Sequence, residues 1–129
     1  MNGNLVDTGA ALLTLAAPER LPPVVRAAVD RGPNWLSALS YWEVVIKTMK
    51  GKLDVTDPRA WWADALEHLS ATALPLLPRH VAEIASLPPL HADPFDRALI
   101  AQATVEELTL VTTDGAIAQY ASERFRVIP

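Results

Sequence analysis

Four acidic residues, Asp7, Glu43, Asp96 and Asp114, stand where strand-like runs end or helix-like runs begin. Asp7 closes Asn4-Leu5-Val6, and Asp114 follows Leu108-Thr109-Leu110-Val111-Thr112-Thr113. Glu43 and Asp96 fall in the first turns of two apolar helical patterns. Carboxylates gathered from separate segments repel one another by ~4 kcal/mol per pair at about 4 Å and an effective dielectric near 20. A fold that assembles them usually offsets that cost with a cation, and Mg²⁺ or Mn²⁺ suits an all-oxygen site. The chemistry on offer is hydrolysis by a metal-activated water.

Each acid also has an ordinary role open to it. Asp7 and Asp114 can cap the helices that follow. Ser40-x-x-Glu43 fits a capping box, and Lys47, one turn on, can pair with Glu43. Asp93-Pro94 reads as N-cap and first helical residue, which leaves Asp96 at N3 and Asp93 as a supporting residue. Arg97 can pair with either acid, contact a phosphate or stay solvated. Thr112 and Thr113 offer hydroxyls that orient a water or hold the Asp114 carboxylate. Lys47, Lys50, Lys52, Arg97 and Arg124 are the candidate phosphate contacts. His68, His80 and His91 lack metal-ligand spacing and are expected in loops or on the surface. No Gly-rich phosphate loop or Ser/His/Asp arrangement stands out.

These residues need elements to carry them. Asn4–Asp7, Trp35–Leu39, Ala73–Leu77, Leu108–Thr112 and Arg126–Ile128 read as short strands. Thr8–Ala17, Leu21–Arg31, Tyr41–Lys50 (capped by Ser40 and ended by Gly51), Asp57 to about Leu69, Pro78–Ser86, Pro94–Glu106 and Asp114–Ser122 read as helices. The alternation argues for an α/β protein with a largely parallel sheet, whose ligands bind beyond the carboxyl ends of the strands near a switch in strand order. Asp7 and Asp114 then share an edge if their strands are parallel neighbours. Trp61 and Trp62, adjacent on a helix, point about 100° apart, so one can be core and the other partly exposed.

The 129 residues predict one domain spanning 1–129. Half the residues are hydrophobic and 20% are charged, as in ordinary globular proteins. With no Cys there is neither disulfide nor thiolate site, which suits a reducing cytoplasm. No signal peptide or membrane span is indicated. The net charge of −4 excludes generic electrostatic attraction to nucleic acid, so such a ligand needs local cations and metal.

Val6-Asp7-Thr8-Gly9-Ala10, Ser37 through Lys47, Gly51-Lys52-Leu53, Asp93 through Ala103 and Leu110-Val111-Thr112-Thr113-Asp114 occur in that order. Taken together, the set resembles a PIN-domain ribonuclease of the VapC toxin type over nearly the whole chain. The resemblance implies a three-layer α/β/α fold around a parallel sheet of about five short strands. It implies Mg²⁺- or Mn²⁺-dependent RNA cleavage, with Asp7, Asp96 and Asp114 on the metal and Glu43 completing the catalytic set. It also implies an inhibitory antitoxin partner and a homodimer. The chain departs from the pattern at Gly9, where a polar side chain is usual, which bears on substrate preference.

Two other readings use the same acids. A receiver-like module would accept a phosphoryl group on one Asp beside Mg²⁺, but would need an acidic pair near the first strand and a Lys after the last. A catalytically idle PIN-like domain would keep the fold for binding alone.

Overall fold

Side chains alternate across a strand, and in this chain both faces of the strands are apolar, so both must be covered. Leu5 and Leu110 face one side, where Leu99, Ile100, Leu108, Ile117 and Phe125 meet them. Val6, Leu36 and Val111 face the other, against Ala10, Val25, Val44, Trp61 and Leu69. Each such buried side chain contributes roughly 1.5–3 kcal/mol.

The computed structural model describes residues 2–89, 93–122 and 124–129. In chain order the elements are β1 (Asn4–Val6), α1 (Thr8–Ala16), a 3-10 turn (Pro18–Arg20), α2 (Pro23–Arg31), β2 (Asn34–Ser37), α3 (Ala38–Met49), α4 (Pro58–His68), β3 (Ala71–Leu74), α5 (Pro78–Ile84), α6 (Pro94–Glu106), β4 (Thr109–Val111), a 3-10 helix (Gly115–Tyr120) and β5 (Arg126–Ile128). The sheet is parallel throughout, in the order β3-β2-β1-β4-β5. Helices α1, α2 and α4 line one face; α5 and α6 line the other. Helix α3 enters both cores, Leu39 in one and Val44 in the other. The expected three-layer α/β/α architecture with five short parallel strands is therefore present.

Strand order reverses at β1, whose neighbours are β2 and β4. The register sets Val6 level with Leu36 and with Val111, so the residues that follow, Asp7, Ser37 and Thr112, lie side by side at the carboxyl edge of the sheet. The opposite edge is fixed by two buried asparagines. Asn4 Nδ2 donates to Asn34 Oδ1 (3.0 Å) and to the Ala28 carbonyl (2.8 Å). Asn34 Nδ2 donates to the carbonyls of Val29 (2.8 Å) and Leu69 (2.9 Å), tying the ends of α2 and α4 to the sheet.

Several boundaries differ from expectation. Strand β3 lies at Ala71–Leu74, two to three residues earlier than expected, because Pro75 has no N–H to continue a ladder. Strand β2 ends at Ser37, and Ser37 rather than Ser40 caps α3, accepting from Leu39 N–H at 3.0 Å. The element after β4 is a 3-10 helix rather than an α-helix. Asp57-Pro58 opens α4 as expected, and Gly51, at φ 71°, closes α3. There Lys52 N–H donates to the Lys47 carbonyl (2.9 Å) and Gly51 N–H to Thr48 (3.0 Å), a paired C-terminal closure that needs a left-handed residue. Trp61 is core; Trp62 is half-buried and stacks on Tyr41 at 4.9 Å.

Candidate active site

Asp7 is placed by the end of β1 and the start of α1. It is 5% exposed. Its Oδ1 accepts from Ala10 N–H at 2.8 Å, so it caps α1. Its Oδ2 accepts from the Thr112 hydroxyl on the neighbouring strand. That hydroxyl accepts in turn from Asp114 N–H at 2.9 Å, and Asp114 Oδ1 caps the 3-10 helix through Ala116 N–H at 3.0 Å. One hydroxyl thus joins the two acidic loops at the switch point. Both acids are caps as well as candidate ligands.

Burial pushes the Asp7 carboxyl up to about 6, against the lowering effect of its bonds to Thr112 and Ala10; the charges of Asp96 and Glu43 raise it further. These three acids from β1, α3 and α6 therefore share one neighbourhood. Asp96 sits in the first turn of α6, where Asp93 is the N-cap, accepting from Phe95 N–H (2.8 Å) and Asp96 N–H (3.1 Å). Glu43 is buried, and its Oε2 meets Lys47 Nζ at 2.8 Å. The bond to Glu43 raises the Lys47 ammonium's affinity for its proton; burial opposes this, and the charges of Glu43, Asp93 and Asp96 add to it. Lys47 is a built-in countercharge for the acids.

The expected capping box is absent, because Ser40 lies inside α3 and its hydroxyl accepts from Thr8 Oγ1 at 2.9 Å. The Thr8–Ser40 bond, which the sequence did not single out, ties α1 to α3 beneath Glu43. Arg97 is half-buried and anchored by its guanidinium. It donates to the carbonyls of Pro88 (2.9 Å), Ile84 (3.3 Å) and Leu87 (3.4 Å) and reaches the Tyr120 hydroxyl at 3.4 Å. It holds the chain that follows α5 against α6. Arg124 pairs with Glu83 at 3.1 Å.

His80 is also corrected. It is fully buried, its Nδ1 accepts from Leu77 N–H at 3.0 Å, and its Nε2 donates to Glu106 Oε2 at 2.7 Å. Glu106 also meets Arg79 Nη2 at 2.9 Å. No sequence signal marks this pair, whose members lie far apart in the chain. His68 is exposed as expected, and His91 lies outside the described residues.

The donors gathered here are all oxygens, the set a hard divalent cation takes. Gly9 makes room beside them for Thr113: a Cβ there would come within 2.9 Å of Thr113 Oγ1 and 3.8 Å of Asp7 Oδ1. The departure from the expected motif is thus matched by Thr113, whose hydroxyl takes the vacated side. Among the described residues no three acidic or histidine side chains already stand as a ready metal cage, and Glu43 is held by Lys47. The residues fit the ion in donor chemistry and need side-chain adjustment to close on it.

The fold and site define an open parallel-sheet α/β protein with a buried carboxylate and acidic neighbours at its switch point. Residues 5–123 match the PIN domain family, and the chain belongs to that family. Its fold is shared with a chain of the VapBC2 complex of Rickettsia felis bound to a promoter DNA fragment (TM-score 0.73, 12% identity, 99% of this chain and 98% of that one). It is also shared with chains of FitAcB from Neisseria gonorrhoeae (0.64, 19%, 98% and 96%) and of VapBC-5 from Mycobacterium tuberculosis (0.62, 18%, 98% and 97%). No curated protein sequence matches the chain. A receiver module is set aside by this membership and by strand order, since receivers run 2-1-3-4-5. Among the described residues no helix is long and apolar enough to cross a membrane.

Proposed function

We propose that the chain is a divalent-metal-dependent endoribonuclease, the toxic partner of a type II toxin–antitoxin pair. The observation that carries the reading is Asp7: a buried carboxylate at the switch point, facing Asp96 and Glu43, with its proton affinity raised. A fold gains nothing in stability from such an arrangement, which makes sense if a cation completes it. Asp7, Asp96 and Asp114 would hold Mg²⁺ or Mn²⁺, with Glu43 completing the set. The ion supplies an activated water and offsets charge on the phosphoryl oxygens.

The chain's own groups do the rest. Thr112 orients Asp7 and the Asp114 backbone together. Asp93 fixes the first turn of α6 and so the position of Asp96. Lys47 can exchange Glu43 for a phosphate oxygen as substrate arrives. Lys50 and Lys52, both exposed near the end of α3, extend that positive edge.

One neighbour named above, VapBC-5, is a member of the VapBC family of toxin–antitoxin systems, which supports a protein partner for this chain. A groove of about 300 Å³ between α1 and the start of α4 offers a seat. Leu12, Leu15 and Trp61 line it, and Asp54, Asp57 and Asp64 edge it, which suits an amphipathic antitoxin segment bearing basic residues. A homodimer and a cytoplasmic location belong to the same proposal.

The test is cleavage of single-stranded RNA with Mg²⁺ or Mn²⁺ and with EDTA. Cutting to 5′-phosphate and 3′-hydroxyl ends is expected only with metal, and it should be lost in Asp7→Asn and Asp96→Asn. Full cleavage by both variants would refute the site, and no cleavage by the parent protein would leave the idle binding domain. Growth arrest on induction, absent with Asp7→Asn, checks the toxin role.

A further inference from the structure

Trp42 is 56% exposed, although the other three tryptophans are buried or half-buried. It directly precedes Glu43 on α3. Its ring meets Phe95 edge-on, at 5.2 Å between centroids and 74° between planes. Phe95 directly precedes Asp96. The ring contact therefore joins α3 and α6 at the turns that carry the two acids whose charges reach Asp7, with the Trp42 ring turned to the surface where Glu43 is turned inward. A T-shaped contact steadies a ring without covering both its faces. Lys47 lies farther along the same helix, with Lys50 and Lys52 just past its end.

We infer that Trp42 is a base-stacking residue: it takes an unpaired nucleobase of single-stranded RNA next to the phosphodiester that is cut. This inference rests on the nuclease reading and names the contact that positions its substrate. A rigid, half-exposed indole stacks on any base, because every base offers a π-face, while the nearby ammonium groups hold the backbone. Stacking explains why an RNA can be held at the rim of an acidic pocket by a chain of net charge −4. It also explains an exposed indole where a polar residue would serve solubility.

The test combines binding and turnover. Single-stranded RNA added to the protein in EDTA should quench tryptophan fluorescence, and Trp42→Phe should remove most of that quench while still binding. In cleavage assays Trp42→Ala should raise KM about tenfold to a hundredfold, with Trp42→Phe and Trp42→Tyr restoring most of the loss. The penalty should vanish on a substrate carrying an abasic nucleotide beside the cut. Wild-type KM in Trp42→Ala, or an equal penalty on the abasic substrate, overturns the inference. So does a penalty that tracks a change in oligomeric mass, which would assign Trp42 to a protein interface. Quenching without any cleavage would keep the stacking site and remove the nuclease reading.

Discussion

Asp7 shows how a buried carboxylate works against stability. Its carboxyl titrates at about 6 when folded and at 3.8 in the open chain, so between those values the folded state holds a proton that the unfolded state releases. The stabilising contribution is whole below about pH 4 and is lost as pH rises through about 6, a change of ~3 kcal/mol. Asp7→Asn removes that loss and leaves the Thr112 hydroxyl without its anionic acceptor, which costs back ~1 kcal/mol. In EDTA, thermal unfolding should therefore show Asp7→Asn more stable than the parent near pH 7.5, by roughly 2 kcal/mol, with the gain fading toward pH 4. A neutral-pH loss of stability in Asp7→Asn would contradict the account of its burial. Lys47 gives a second test. Lys47→Met frees Glu43 from its 2.8 Å partner and deepens the negative field. Mn²⁺ affinity should rise about threefold to tenfold in titration calorimetry, while KM for RNA rises as well. Neither move is expected if Lys47 merely decorates a solvated helix face.

At the scale of elements, α6 is held from both ends, by a cap that the sequence marks and by a buried histidine that it does not. Asp93 caps its start, as its Asp-Pro pattern announced. Near its other end Glu106 receives the buried His80 from α5. Glu106→Ala leaves a buried imidazole N–H without a partner and should cost ~2–4 kcal/mol in urea unfolding, with no change in cleavage once folded. The elements themselves were largely legible, because long apolar periods and Asx-Pro or Gly punctuation mark α3, α4 and α6. What stayed hidden was the choice between equal local signals and the pairing of distant ones. Ser37 and Ser40 both make good caps, and Leu36 through Leu39 fits strand or helix, so only the pairing with β3 carries β2 to Ser37 and ends it there. The weight of Leu74, Leu76 and Leu77 drew the expected third strand toward its carboxyl end, whereas Pro75 stops it. Arg97 is long and charged, which in sequence reads as solvated, and its three carbonyl acceptors lie on a turn that no local pattern connects to it. The places of Asp7 and Asp114 as caps and of Asp96 in the first turn of α6 were legible, whereas Glu43, expected in a first turn, stands in the second turn of α3 because that helix opens at Ala38. Thr8–Ser40 and Trp42–Phe95 were not legible, since each bridges two helices.

At the scale of the molecule, a parallel sheet whose order turns at β1 brings loops from the chain's beginning and end into hydrogen-bond contact through Thr112. The sheet supplies position, and the net charge of −4 supplies no general pull on RNA. Arg97 and Arg124 have protein partners, so the proposal leaves Lys47, Lys50 and Lys52 as the RNA-backbone contacts. The logarithm of RNA affinity should then fall against the logarithm of salt with a slope of roughly −2. A slope near −6 would reveal a basic surface that this account does not contain.

The proposed function depends on Asp7, Asp96 and Asp114, completed by Glu43, forming one divalent-cation site. Titration of Mn²⁺ into the metal-free protein, followed by calorimetry, tests it most directly. The parent protein should bind with saturable heat, and Asp7→Asn and Asp96→Asn, still folded by circular dichroism, should show none. Undiminished binding by either variant, or no binding by the parent, would contradict it.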